Sequence, residues 1–248
     1  MHRVIAADDI QGADGAKWAV ESKNVSKAYI VDDQSLYGHG VAQVFNDSLL
    51  ELGAEVLGFE GYDPKAPDYQ ALMTKIADSG PDLVYISATV ENNPAKVLLD
   101  MRSLMPVDDV IFLGPDGLDA QALIDGAGDA ANGGFITFAG IPPAELKGPG
   151  ADFASRLGEI LGHSPDAYST YSYESTVAVI QAIDAVGEKD RGKILDALMG
   201  TKDFTGLVGN TWFFTETGDT DALTMSVNEI KPNDEGKLAI SFLSMIGS

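Results

Sequence analysis

Cysteine is absent from the 248 residues, and basic residues and long apolar runs are scarce. Without cysteine, the chain cannot form a disulfide, a thiolate zinc site or a cysteine nucleophile. Only 16 Lys and Arg oppose 38 Asp and Glu, which gives a net charge of −22. This balance disfavours binding to nucleic acid or to an anionic membrane, since both need a basic surface. No apolar run reaches the roughly 20 residues that a membrane-spanning helix requires.

Sequence signatures of catalysis, metal binding and cofactor binding are also missing. The three histidines, His2, His39 and His163, are scattered, so no metal site is expected. Neither a G-x-S-x-G nucleophile turn nor a G-x-x-x-x-G-K-[ST] phosphate loop occurs. Residues 126–131 superficially match a dinucleotide fingerprint, but they follow a predicted helix and precede a predicted strand, which is the reverse of the required order. We therefore expect no cofactor.

The first two-thirds of the chain alternate short apolar runs with helical patterns. Strands are predicted at residues 27–31, 55–59, 82–87, 110–113 and 134–138, and helices at 38–52, 69–77, 94–104 and 120–125. Five strands alternating with helices indicate an α/β fold with a doubly wound parallel sheet. The nearly continuous apolar runs are typical of strands that are covered on both faces.

After residue 141 the pattern changes to helices and a few short strands. Helices are predicted at 152–161, 167–186 and 191–199, and strands near 207–208, 212–214, 226–230 and 238–242. In the second of these helices an apolar stripe is formed by Val177, Ile180, Ile183 and Val186. This part offers no obvious sheet for its helices to cover, so their apolar faces lack a predicted partner.

Three residues at predicted strand ends are candidates for ligand binding. In an open parallel sheet, ligands bind outside the carboxyl ends of the strands, and here those ends are followed by Tyr37, Thr89 and Asp116. The Asp116 carboxylate suits a ligand ammonium group through charge-assisted hydrogen bonds. Each residue also has a structural interpretation: Asp116 as a turn or helix cap, Tyr37 in loop packing and Thr89 as a helix cap.

Four ordered stretches make the sequence resemble the Leu/Ile/Val-binding family of type I periplasmic solute-binding proteins. They are residues 8–12 (DDIQG), 31–40 (VDDQSLYGHG), 112–117 (FLGPDG), and 204–209 (FTGLVG) with 214–219 (FTETGD). Each stretch is a weak signal alone, but together they run through nearly the whole chain in the family's order.

The resemblance implies a non-catalytic protein that captures an amino acid or related compound for an ABC importer by hinge closure between two lobes. Tyr37 then corresponds to a ligand-contacting tyrosine, and Asp116 to the acid that holds the ligand ammonium, one methylene shorter than the usual glutamate. Thr89 stands where the family has a second tyrosine, which leaves the ligand open. The implied partner is a permease and the implied location periplasmic or extracellular. Alternatives are a sensory receptor domain of the same fold and a doubly wound enzyme with Asp116 as base.

The resemblance also divides the chain. Residues 1–141 correspond to lobe two, 142–224 to a helical return segment of lobe one, and 225–248 to strands that return toward the hinge and lobe two. Because the family has further residues before this region, and residues 1–9 show no signal peptide, the resemblance implies that the N-terminal part of lobe one is missing. A dimer or domain-swapped assembly is one way to cover the helices left without a sheet.

Overall fold

The structure is a computed structural model that describes residues 2–247. Two compact units divide the chain. The sheet unit comprises Asp8–Phe138 and the C-terminal residues from Met225, and the helical unit comprises Ala139–Thr224 and the N-terminal residues up to Ala7. Each unit is described separately below.

The sheet unit alternates helices and strands along the chain. Its helices are α1 (Asp8–Lys23), α2 (Leu36–Glu51), α3 (Gln70–Ser79), α4 (Pro94–Arg102) and α5 (Gln121–Ala127). Its strands are β1 (Lys27–Asp32), β2 (Glu55–Gly61), β3 (Leu83–Ser87), β4 (Ile111–Gly114), β5 (Phe135–Phe138), β8 (Met225–Pro232) and β9 (Leu238–Ile246). All five strands predicted before residue 141 are therefore present.

These seven strands form one sheet in the order β2-β1-β3-β4-β5-β8-β9. The first five strands of this order are parallel, and β8 and β9 then add antiparallel to β5 and to each other. The predicted α/β fold with a doubly wound parallel sheet is confirmed, and the sheet is extended by the antiparallel strands β8 and β9.

Two apolar cores cover the opposite faces of this sheet. Alternate residues of each strand point to opposite faces, so Ala28 and Ile30 of β1 join one core whereas Tyr29 and Val31 join the other. Side chains of α1 and α2 fill the first core, including Trp18, Val41, Phe45 and Leu49. Side chains of α3, α4 and α5 fill the second, including Met73, Ile76, Leu98 and Leu123. Coverage on both faces explains the continuous apolar character of the strands.

The helical unit contains α6 (Pro149–Leu161), α7 (Ser169–Val186), α8 (Arg191–Met199) and the hairpin of β6 (Phe204–Thr205) and β7 (Thr211–Trp212). Its core consists of Ala178, Phe204, Trp212 and Phe214. The strand predicted at 207–208 is wrong, because those residues form the turn between β6 and β7.

The buried face of α7 differs from the predicted apolar stripe. Ile180 and Ile183 are 57% and 47% exposed, whereas Tyr171, Glu174 and Ala178 are buried. The Glu174 carboxylate accepts hydrogen bonds from Trp212 Nε1 (3.2 Å) and from the backbone N–H of Leu207 (2.5 Å). The hydrogen bonds from the hairpin to Glu174 therefore place this face of α7 in the interior, and the spacing of apolar residues cannot reveal such a buried polar residue.

Candidate functional site

The strand order reverses between β1 and β3, since the chain moves from β1 to β2 on one side and then returns to β3 on the other. Ligands of open α/β sheets bind outside the carboxyl ends of the strands at such a reversal. Here the residues that follow β1, β3 and β4 are those around Asp33, Ala88 and Pro115. The candidate site is therefore built from three short strand-to-helix connections of the sheet unit.

The connection after β1 brings Tyr37 into the first turn of α2. Gln34 adopts a left-handed backbone conformation (φ +60°), and its N–H donates to Asp32 Oδ1 at 2.7 Å. This tight turn lets α2 start two residues later, where the Ser35 side chain caps the helix by accepting from the Gly38 N–H at 2.9 Å. Capping by serine satisfies one of the free N–H groups at a helix start.

Tyr37 and Asp116 are in direct contact. The Tyr37 hydroxyl donates to Asp116 Oδ1 at 2.8 Å and accepts from the Gly117 N–H at 2.9 Å. Asp116 begins a short 3₁₀ turn over Asp116–Leu118, and its side chain is not the cap of that turn, because Pro115 holds the capping position. The hydroxyl of Tyr37 thus fixes the orientation of the carboxylate and leaves Oδ2 outside this hydrogen bond.

Thr89 joins the site through the backbone beside it. A Cβ built on Gly117 would lie 2.5 Å from the carbonyl oxygen of Ala88 and 2.7 Å from Cε1 of Tyr37, so only glycine allows these three segments to pack this closely. Thr89 occupies the cap position of the 3₁₀ turn Val90–Asn92, yet its hydroxyl makes no capping hydrogen bond. Its side chain is half-buried, and the structure shows no direct bond from it to Asp116.

Asp116 is a buried carboxylate without a positive partner in the described chain. Its residue is 7% exposed, and none of the ion pairs found among residues 2–247 includes it. Burial, followed by the negative charge of Asp116, raises the pKa of Tyr37, so that this phenol stays protonated as a donor. Burying a carboxylate is costly unless it is paired and hydrogen-bonded. The arrangement therefore favours a cationic group as the missing partner.

Tyr85 and Asp33 belong to this region but were not among the sequence-predicted site residues. Tyr85 is fully buried in β3 and stacks on Phe45 at 3.8 Å between ring centroids. Burial, with the charges of Asp116 and then Asp8, raises the pKa of Tyr85 well above its ordinary value. Asp33 is the first residue of the connection that follows β1. Only its place at a strand end, two residues before Ser35, signals it in the sequence, because residues inside a turn point in directions that periodicity does not define.

Across residues 2–247, no three or more His, Asp or Glu side chains lie together in a way that could hold a metal ion. None of the helices described is both long enough and apolar enough to cross a bilayer.

Comparisons of sequence and of structure both find similarity to amino-acid-binding proteins. The chain is 25% identical over 235 residues to "Leu/Ile/Val-binding protein homolog 2" of Brucella abortus (strain 2308), which covers 95% of this chain and 62% of the relative. The crystal structure of a leucine-binding protein from Thermotoga maritima superposes with a TM-score of 0.88 at 25% identity, covering 99% of this chain and 67% of that one. A branched-chain amino acid transporter substrate-binding protein from Streptococcus pneumoniae, in complex with isoleucine, has a TM-score of 0.81 at 23% identity, covering 96% and 66%.

The chain thus spans less than two-thirds of the length of these curated relatives. Within that span the likeness is continuous, because a family model described as "Periplasmic binding protein" matches residues 1–235. The strand order, the reversal between β1 and β3, and the superpositions all describe the type I fold. The chain belongs to the periplasmic binding protein family.

Proposed function

We propose that this chain is a non-catalytic solute-binding protein whose ligand is a small amino acid held by its ammonium group at Asp116. The observation that carries the proposal is the buried Asp116 carboxylate, which is oriented by Tyr37 and has no ion pair among the described residues. A ligand ammonium would supply the missing positive charge through charge-assisted hydrogen bonds. Relatives named as Leu/Ile/Val-binding proteins support an amino acid as the ligand.

The wider role follows from the family and is part of the same proposal. Its relatives are binding proteins of branched-chain amino acid transport, so the proposed partner is an ABC permease and the proposed location is the periplasm. We assign the sheet unit to lobe two of the family fold and the helical unit to lobe one. The relatives give no support to the predicted dimer or swapped assembly, which stays a prediction. An enzyme with Asp116 as base is disfavoured because the relatives are solute-binding proteins.

The test is a titration of the chain that follows the Gly117 amide by NMR, since this N–H bonds directly to Tyr37 next to Asp116. The probes are L-leucine and L-isoleucine, with 4-methylpentanoate and benzoate as carboxylates that lack an ammonium group. We expect saturable shifts with the amino acids and none with the two carboxylates. NMR detects weak binding, which matters because few contacts give low affinity.

Two variants sharpen this test. Asp116→Asn removes the charge without changing the size of the side chain and should abolish the shifts. Asp125→Asn, which alters an exposed carboxylate on α5, removes the same charge elsewhere and should leave the shifts unchanged. Equal binding of L-leucine by wild type and Asp116→Asn would refute the ammonium role, as would binding of 4-methylpentanoate as tight as that of L-leucine.

A further inference from the structure

Asp33 is a buried carboxylate whose oxygens are used entirely within the protein. It is 3% exposed. Its Oδ1 accepts from the Ser35 N–H (3.0 Å) and the Ser35 hydroxyl (2.6 Å). Its Oδ2 accepts from the Thr89 N–H (3.1 Å) and from Asn92 Nδ2 (2.7 Å). With four donors the carboxylate has no acceptor site left for a ligand, so its role is internal.

The two oxygens of Asp33 face different connections of the sheet. On the Oδ1 side, Ser35 in turn caps α2 through the Gly38 N–H, and this fixes the helical turn that carries Tyr37. On the Oδ2 side, Thr89 and Asn92 belong to the connection that leaves β3. Asp33 therefore links the exits of β1 and β3, the two strands between which the strand order reverses.

That link reaches the candidate ligand site on both sides. The Thr89 N–H bonded to Asp33 is adjacent to Ala88, whose carbonyl packs against Gly117, and the Tyr37 ring packs against the same glycine. Gly117 follows Asp116 and donates to the Tyr37 hydroxyl. A shift of either connection would thus change the position of the Tyr37 hydroxyl relative to Asp116. The hydrogen bond between these two side chains is the only one shown to orient that carboxylate within the described residues.

The protonation state of Asp33 matches this arrangement. Burial acts to raise its pKa, but the hydrogen bonds from Ser35, Asn92 and Thr89 outweigh burial and hold the pKa below its ordinary value. The carboxylate is therefore ionised at neutral pH, and its bonds to neutral donors are of the stronger, charge-assisted kind.

We infer that Asp33 is a positioning residue for ligand binding, which joins the exits of β1 and β3 so that Tyr37, Thr89 and Asp116 are held in one arrangement. The inference rests on the proposed function for its effect on affinity. It is independent of that function for its effect on the free protein. If the joined arrangement is the one that binds, loosening it lowers the binding-competent fraction and raises the apparent Kd in proportion.

The free protein is tested first, by amide hydrogen exchange at Thr89 in Asp33→Asn. Asparagine keeps the size of the side chain but replaces one acceptor oxygen with a donor, so it cannot accept all four bonds. We expect exchange at Thr89 to accelerate by about tenfold, because its N–H loses its acceptor and the connection opens more readily. The matched control is Asp82→Asn, because the Asp82 carboxylate also links β1 to β3, through Ser26 and Lys27, but at the opposite ends of the two strands. Equal exchange rates in the two variants would overturn the inference.

Affinity for L-leucine is measured next, in a double-mutant cycle. Asp33→Asn should raise the Kd about tenfold, and Asp82→Asn should leave it within about twofold of wild type. Asn92→Asp alone places two carboxylates together and should also weaken binding. In the double variant, asparagine at 33 can donate to aspartate at 92, which re-forms this part of the link with reversed polarity although the Thr89 N–H still lacks its acceptor. The Kd of the double variant should therefore lie below that of either single variant and above that of wild type.

Rescue in the double variant separates positioning from a general loss of stability, which a second substitution would worsen rather than repair. Wild-type affinity in Asp33→Asn would overturn the inference, and so would a double variant weaker than both single ones. If wild type binds none of the amino acids, the proposed function fails, and exchange at Thr89 still decides whether Asp33 holds the two connections together.

Discussion

Two glycines of α2, two residues apart, should respond in opposite ways to the same substitution. Gly38 lies in the first turn of the helix, where the backbone passes over the exit of β3. A Cβ built there would lie 2.8 Å from the carbonyl oxygen of Ser87 and would collide with Oδ1 of Asp33. Gly40 is exposed, and a Cβ built there meets no atom within 4 Å. Gly38→Ala and Gly40→Ala therefore add the same methyl group to a crowded site and to an open one.

The expected magnitudes follow from these surroundings. At Gly40, alanine improves helix propensity and reduces the backbone freedom of the unfolded chain, so the free energy of unfolding should rise by about 0.5–1 kcal/mol. At Gly38 the obstructing atoms are a backbone carbonyl and a carboxylate held by four hydrogen bonds, neither of which can move freely. Overpacking of this kind costs about 1–3 kcal/mol. The free energies of unfolding of the two variants should then differ by about 1.5–4 kcal/mol.

Urea unfolding followed by far-ultraviolet circular dichroism measures this difference. For a unit of this size, 1 kcal/mol corresponds to a shift in Tm of about 2–4 °C, so thermal unfolding offers a second readout. Gly38→Ala should also disturb ligand binding, because the strain falls on Asp33 and on the turn that carries Tyr37. If Gly38→Ala is as stable as wild type, or if both variants change stability in the same direction, the close packing of α2 on the exit of β3 is refuted.

Three further predictions concern single side chains. The pKa of Asp33 is lowered in the folded protein, so its contribution to stability is present above about pH 4 and is lost as the pH falls through the pKa of the folded state. The urea midpoint of wild type should therefore drop more in this pH range than that of Asp33→Asn, and equal drops in the two proteins would contradict this. Glu174→Gln should destabilise the helical unit by about 1–3 kcal/mol, seen as earlier exposure of Trp212 in fluorescence; an unchanged transition would show that its bonds are dispensable. Tyr37→Phe should lower the free energy of unfolding by about 1–3 kcal/mol and weaken L-leucine binding, because Asp116 loses its hydroxyl donor. Wild-type affinity for L-leucine in calorimetry would exclude this orienting role of Tyr37.

The sequence was most informative where one strong physical pattern dominates. Apolar runs of strand length, separated by helical periodicity, predicted all five parallel strands, because burial on both faces leaves little choice of residue. The proximity of Tyr37 and Asp116 could be predicted as well, because both follow strand ends that meet at one edge of the sheet. The family resemblance, carried by residues 31–40 and 112–117, added the identity of the fold.

Prediction failed where a polar side chain decides the geometry. The inward face of α7 is set by Glu174, whose partners lie more than thirty residues further along in a hairpin turn that apolar residues made look like a strand. The link made by Asp33 depends likewise on a left-handed residue at 34 and on donors 56 and 59 residues away. Such bonds leave no periodic trace, and only the three-dimensional arrangement shows that the carboxylate is satisfied.

The placement of β8 beside β5 has a consequence for how the chain folds. The sheet unit is interrupted between Phe138 and Met225, so β5 remains an uncovered edge of the growing sheet until all of residues 139–224 have been made. Closing a loop of that length costs about 4 kcal/mol of chain entropy. During synthesis, an apolar strand edge is thus open to wrong partners for several seconds at ordinary elongation rates. Folding yield should therefore respond to how quickly residues 139–224 become compact, even though they contribute no strand to that sheet.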